Sequence, residues 1–215
     1  DMTAAAGKQV YIAIQYVGGL SSGSSSYDID NFMVSKDRPT EVIEPVNDIA
    51  IPFTDDFEGC TDNYATPSNF VEVFVAGSKT DRGWGCREFG VGNTRAVRAS
   101  AFGGADGTDN AWLVTNGKVD LSGVTSATFS ADIKSTYPGL GDLKALWSEN
   151  YTGSGDPSSA TWTELTDFSG QLPVKGSDAY TTITSDLSGA AGKKVYVALQ
   201  YSGGTSGDSA SYDVD

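Results

Sequence analysis

The chain repeats itself once, and that constrains it more than any other feature. Residues 1–30 (DMTAAAGKQVYIAIQYVGGLSSGSSSYDID) align without a gap on residues 186–215 (DLSGAAGKKVYVALQYSGGTSGDSASYDVD), with 18 of 30 positions identical at an offset of 185. The changes are mostly conservative, such as Ile12 against Val197 and Ile29 against Val214. A fixed period of this kind marks a structural unit used more than once. The chain is therefore expected to hold the C-terminal strands of a preceding repeat (1–35), a linker (36–52) and a nearly complete repeat (53–215) that lacks its last strand. The first copy continues into Asn31-Phe32-Met33-Val34-Ser35 beyond the position matched by Asp215. It opens within a repeat, with neither an initiator Met nor a signal-type segment, and is read as a piece of a longer tandem array or a processed product of one. Pro39, Pro45 and Pro52 make 36–52 an extended connector. The alternative is that part of it pairs as an edge strand.

A 35-residue tail is too short to fold alone. Its strand 8–16 (KQVYIAIQY) needs a sheet to join. We expect it to complete the sandwich of a neighbouring copy, through a continuous chain or by strand donation along a fibre.

Composition removes most chemistry. The 215 residues include no histidine, which excludes Ser-His-Asp and Cys-His catalysis and His-ligated zinc within this chain. Two cysteines are too few for a Cys₄ zinc site or an iron–sulfur cluster. A net charge of −14 without Lys/Arg clusters argues against nucleic acid and anionic membrane surfaces. No run approaches 18 apolar residues, so no membrane insertion by a helix is expected. The acids are 21 Asp against 7 Glu, a bias toward turns rather than helices. Ser, Thr, Gly and Pro make 78 residues, but 23 aromatics rule out a disordered chain.

Period-2 alternation fills the complete repeat. In 125–133, Ala127, Phe129, Ala131 and Ile133 share one face, and Thr128, Ser130 and Asp132 the other. In 194–201, Val195, Val197, Leu199 and Tyr201 point one way; in 142–148, Leu143, Ala145 and Trp147 do. Further strands are expected at 69–75, 95–99, 110–115, 161–165 and 180–184. Polar turns such as Gly103-Gly104, Asn116-Gly117, Pro138-Gly139 and Gly203-Gly204 separate them. This pattern predicts an all-β, jelly-roll-like antiparallel β-sandwich.

Several stretches together are familiar: Asp56-Phe57-Glu58, Asn110 to Thr115 followed by Val119-Asp120-Leu121-Ser122, Leu143 to Tyr151, Ala160 to Leu165, Gly192 to Val195, and Tyr212 to Asp215. Their order resembles the choice-of-anchor J domains, related to the cleaved-adhesin and MAM-like jelly rolls of secreted bacterial proteins. The resemblance spans about 53–215, and residues 1–35 match the end of the same module. It departs from the family at Asn116-Gly117, where a proline commonly follows the threonine, and in its cysteine pair. The resemblance implies a non-enzymatic, secreted or cell-surface module of adhesive or carbohydrate-binding character. Its expected partners are neighbouring copies and extracellular glycan.

Site expectations follow. Cys60 and Cys86, the only cysteines, are expected to form a disulfide in an oxidising compartment. Related jelly rolls hold a structural Ca²⁺ between first and last strands, so the resemblance implies Asp56, Glu58, Asn110, Asp213 and Asp215 as ligands. Such an ion would join carboxylates that otherwise repel; the alternative is a solvated acidic edge. A glycosidase reading of these carboxylates finds nothing marking an acid/base couple. Trp84, between Gly83 and Gly85, and Tyr151, opening the polar stretch 151–159, are the expected sugar-stacking residues. Arg95 and Arg98 are expected to pair with nearby carboxylates.

Overall fold

The computed structural model describes residues 48–77, 83–104 and 108–215. The tail 1–35 with its expected strand 8–16, and the linker as far as residue 47, lie outside the described residues.

The strands in chain order are β1 (Phe70–Ala76), β2 (Gly85–Arg87), β3 (Ala96–Ala99), β4 (Asn110–Thr115), β5 (Val119–Asp120), β6 (Thr128–Ser135), β7 (Asp142–Ser148), β8 (Thr163–Glu164), β9 (Ser177–Asp186), β10 (Lys194–Ser202) and β11 (Tyr212–Val214). One sheet runs β1-β4-β10-β7-β8, with β5 pairing β10; the other runs β2-β3-β11-β6-β9. All named strands pair antiparallel. The chain is a β-sandwich of two such sheets. Ile49 forms a parallel bridge with Val119, so the C-terminal end of the expected linker joins the sandwich.

Alternation explains which side chains meet. Ile133 of β6, Leu143, Ala145 and Trp147 of β7, and Val195, Val197, Leu199 and Tyr201 of β10 all enter one core with Leu113, Phe168, Ile183 and Val214. β10 is covered on its other face too. Tyr196 and Ala198 pack there with Trp112, Val114, Leu146 and Tyr151. The cover is the segment 149–162, folded back so that Trp162 lies 5.0 Å from Trp112 and 5.4 Å from Tyr151, centroid to centroid. Burial on both faces accounts for the near-continuous apolar run of β10. The turn after β10 and the residue before β7 are tight for one packing reason: a Cβ on Gly204 or on Gly141 would overlap the buried Tyr201 hydroxyl, which donates to the Ala210 carbonyl at 2.9 Å.

Phe168 is fully buried and meets Phe129 edge-on at 5.9 Å. Phe168→Ala is expected to cost about 3–5 kcal/mol in urea unfolding. Val174→Ala, at a side chain 81% exposed, is expected to change stability by no more than about 0.5 kcal/mol.

Candidate functional site

The first turn of the sandwich places the acidic residues. Asp55 accepts from Phe57 N at 2.8 Å and from Asn69 Nδ2 at 2.9 Å, which fixes Phe57 in a left-handed conformation at φ 56°. Phe57 thereby turns into the core. Asp56 accepts from Glu58 N at 3.2 Å. The Cys60–Cys86 disulfide forms and ties this turn to β2, with the two Cα atoms 6.1 Å apart.

Asp55, Asp56 and Asp215 line one shallow pocket with Ser68 and Asn69. Glu58 reaches across to accept from Arg95 N at 2.5 Å, and Asp215 accepts from Val91 N at 2.6 Å. Burial raises the Asp215 pKa, and the Asp132 and Glu58 carboxylates push it further the same way, against hydrogen bonds from Val91 and Thr94.

The other two expected Ca²⁺ ligands are elsewhere. Asp213 is fully buried and takes both oxygens into a fork with Arg98, at 2.6 Å from Nε and 2.6 Å from Nη2. Asn110 opens β4 in the opposite sheet and accepts from Gln200 Nε2 at 2.9 Å. Among the described residues, no three acidic or cysteine side chains converge at metal-ligand spacing. The five residues therefore do not fit as one ligand set.

The two expected stacking residues are corrected as well. Trp84 is 2% exposed, sits in the main core and donates from Nε1 to the Ala111 carbonyl at 3.1 Å. Tyr151 is 3% exposed, packs edge-on to Tyr196 at 5.2 Å and donates its hydroxyl to Gly155 O at 3.0 Å. Burial raises its pKa. Neither offers a ring face to a ligand.

The outer face of β2-β3-β11-β6-β9 does carry exposed rings, which sequence reasoning missed. Phe89 and Tyr137 are 42% and 56% exposed. The Arg98 guanidinium lies 4.3 Å from the Phe89 centroid, and Lys134 Nζ lies 5.0 Å from that of Tyr180. Tyr180 donates to Phe89 O at 2.7 Å, and its pKa is pushed up by burial first and then by Asp213 and Asp215. Phe89 and Tyr137 come from turns, where no alternation flags them.

A cleft of about 590 Å³ opens between the sheets beside the far half of β6. Phe57, Phe70, Leu113, Leu199, Phe129 and Ala131 line it. Ile133, flanked by β11, is fully buried, whereas Ala131 and Phe129 on the same face are only half-buried.

No protein-family model matches the chain, and neither does any curated protein. Solved structures do. The K2 cleaved adhesin domain of Lys-gingipain shares 18% identity over 76% of this chain and 95% of that one, with a TM-score of 0.51. The K1 cleaved adhesin domain of Lys-gingipain from Porphyromonas gingivalis W83 shares 22% over 75% and 92%, with a TM-score of 0.49. TmCBM61, solved in complex with beta-1,4-galactotriose, shares 12% over 72% and 95%, with a TM-score of 0.42. The fold is an adhesin-like β-sandwich.

Breaking the buried Arg98–Asp213 fork should leave a charge unpaired. Asp213→Ala is expected to cost about 3–5 kcal/mol, while the paired replacement Arg98→Met with Asp213→Leu costs less, both read from urea unfolding. Asp215 supplies a pH test. Its raised folded-state pKa means the ionised form is disfavoured in the native state, so it subtracts stability once pH exceeds the unfolded value of about 3.9. In EDTA, Asp215→Asn is expected to raise Tm at pH 7, with the gain shrinking to nothing as pH falls below that value.

Proposed function

We propose that this chain is a non-enzymatic, extracellular adhesive repeat module of the choice-of-anchor J type, assembling head-to-tail with neighbouring copies. The observation that carries this is the internal repeat. Val195, Tyr196, Ala198, Tyr201, Ser209, Ser211, Tyr212 and Asp213 are all buried, and each is matched by the identical residue in 1–30. The opening segment thus keeps the residues that β10 and β11 use for packing, which supports a role in a sandwich of the same kind. The disulfide is in keeping with an oxidising, extracellular setting. Among the described residues, no helix is long and apolar enough to cross a membrane. The test is sedimentation of the 215-residue chain across a concentration series. Growth of the average mass beyond the monomer supports the reading, and a monomer at every concentration refutes it.

A Ca²⁺-stabilised end belongs to the same proposal, with Asp56 and Asp215, which line one pocket, as the carboxylates that would meet the ion. Burial first, and then the Asp132 and Glu58 carboxylates, disfavour the ionised form of Asp215, a cost that a bound cation would relieve. Melting in millimolar CaCl₂ against EDTA checks this. A rise in Tm that Asp215→Asn abolishes is expected, and identical melting in both buffers removes calcium.

The second reading is a carbohydrate-binding module of a secreted polysaccharide-degrading enzyme. It is favoured by Phe89 and Tyr137, exposed beside Arg98 and Lys134 on one sheet face. Aromatic faces ringed by polar groups suit sugar recognition. A glycan array followed by titration discriminates: saturable binding weakened roughly tenfold or more by Tyr137→Ala, about 1.4 kcal/mol, supports it.

A further inference from the structure

We propose that the segment 167–171 is a stopper on the outer edge of β9, and that the contact it forbids is antiparallel pairing with β9 of a second copy of this chain.

β9 closes one end of its sheet. β6 lies on one side of it, and among the described residues no strand lies on the other. Backbone groups along a strand point alternately to its two sides. Leu187 N donates to Ala127 O at 3.0 Å, so Leu187, Ser185, Ile183 and Thr181 face β6. Asp186, Thr184, Thr182 and Tyr180 direct their amides and carbonyls outward. A row of this kind is a template for another strand.

The sequence of β9 makes that hazard specific. The stretch 179–185 (AYTTITS) carries no charge, proline or glycine, in a chain whose net charge is −14. Four of its seven residues are β-branched. Repulsion between copies is weakest along such a stretch, and its residues favour strand pairing. Two identical strands laid antiparallel satisfy each other's backbone groups, so a second β9 is the partner this edge would take.

Side chains occupy two of the four outward positions. Gln171 Oε1 accepts from Thr184 N at 3.3 Å, and Gln171 Nε2 donates to Thr184 O at 2.9 Å. A residue of a neighbouring strand would make the same pair of bonds. Asp167 Oδ2 accepts from Asp186 N at 3.1 Å. The stopper is anchored from beneath. Phe168 is fully buried in the main core, Gln171 N donates to Phe168 O at 3.1 Å, and Gln171 Nε2 donates to Asp167 O at 2.9 Å. A side-chain amide both donates and accepts, which is what a position facing an N–H and a C=O together requires. A carboxylate there could take only the N–H.

The test compares Gln171→Met with wild type at equal concentration, so that head-to-tail growth common to both cancels. Met keeps the length of the side chain and removes its donor and acceptor. Amide exchange of Thr184 is expected to quicken roughly tenfold or more, while Ile183 and Ser185, bonded to β6, stay as they were. Average mass in sedimentation is expected to rise above that of wild type. Adding Thr182→Lys, a charge on the open part of the edge, is expected to return the mass to the wild-type value with Thr184 still exchanging fast, and Thr182→Lys alone to match wild type. Near-UV dichroism checks the fold, and Gln171→Ala serves if the Met variant unfolds. Unchanged Thr184 exchange overturns the stopper itself. Fast Thr184 exchange at wild-type mass overturns its guarding role. Extra mass that Thr182→Lys fails to remove places the contact away from β9 and overturns the partner assignment.

Discussion

Tyr212, Asp213 and Val214 join the two halves of one sheet. On one side they pair with Ala99, Arg98 and Val97, and on the other Asp213 and Val214 pair with Lys134 and Ile133. Without β11, the β2-β3 hairpin and the β6-β9 pair would share no hydrogen-bond ladder. The Asp213 carboxylate reaches sideways to the Arg98 guanidinium, which binds β11 to β3 by side chain as well as backbone. Tyr212 and Val214 point the other way, into the main core. Three residues thus carry backbone, ionic and apolar contacts at once.

The rest of the sandwich arranges itself around that junction. The disulfide and the Asp55 turn bring Phe57 and Glu58 to the same end, where Asp215 also lies. The result is an acidic rim above an apolar cleft. Burial and the nearby Asp132 and Glu58 carboxylates disfavour the ionised form of Asp215 on that rim. Exposure of Phe129 and Ala131 is a second cost, because apolar surface facing water costs about 25 cal/mol per Å². Both costs sit beside β11, the element that unites the sheet.

The strands were largely legible in the sequence. β4 and β7 have the bounds that alternation predicted, and the predicted 194–201 strand gains one residue as β10. Period 2 is a local property and needs no partner to be read. The functional side chains were less legible because their environments are made by distant residues. Trp84 between two glycines reads as a loop tip, yet Glu72 takes its backbone amide and Ala111 its indole N–H. Tyr151 opens a polar stretch, but that stretch folds back to cover β10. Asp213 and Asp215, two apart on one strand, read as a shared ligand pair. Arg98, 115 residues away, claims the first and leaves the second. The expected pairing of Arg98 with a carboxylate was right in kind, but the sequence did not say which one.

Native-state amide hydrogen exchange tests the joining role of β11 most directly. If Tyr212–Val214 unites the sheet, the amides of β11 and the Asp132 amide bonded beside it should open together with global unfolding, at the same free energy as those of β6 bonded to β9. Exchange of β11 through a separate, lower-energy opening while β3, β6 and β9 stay protected would contradict that role.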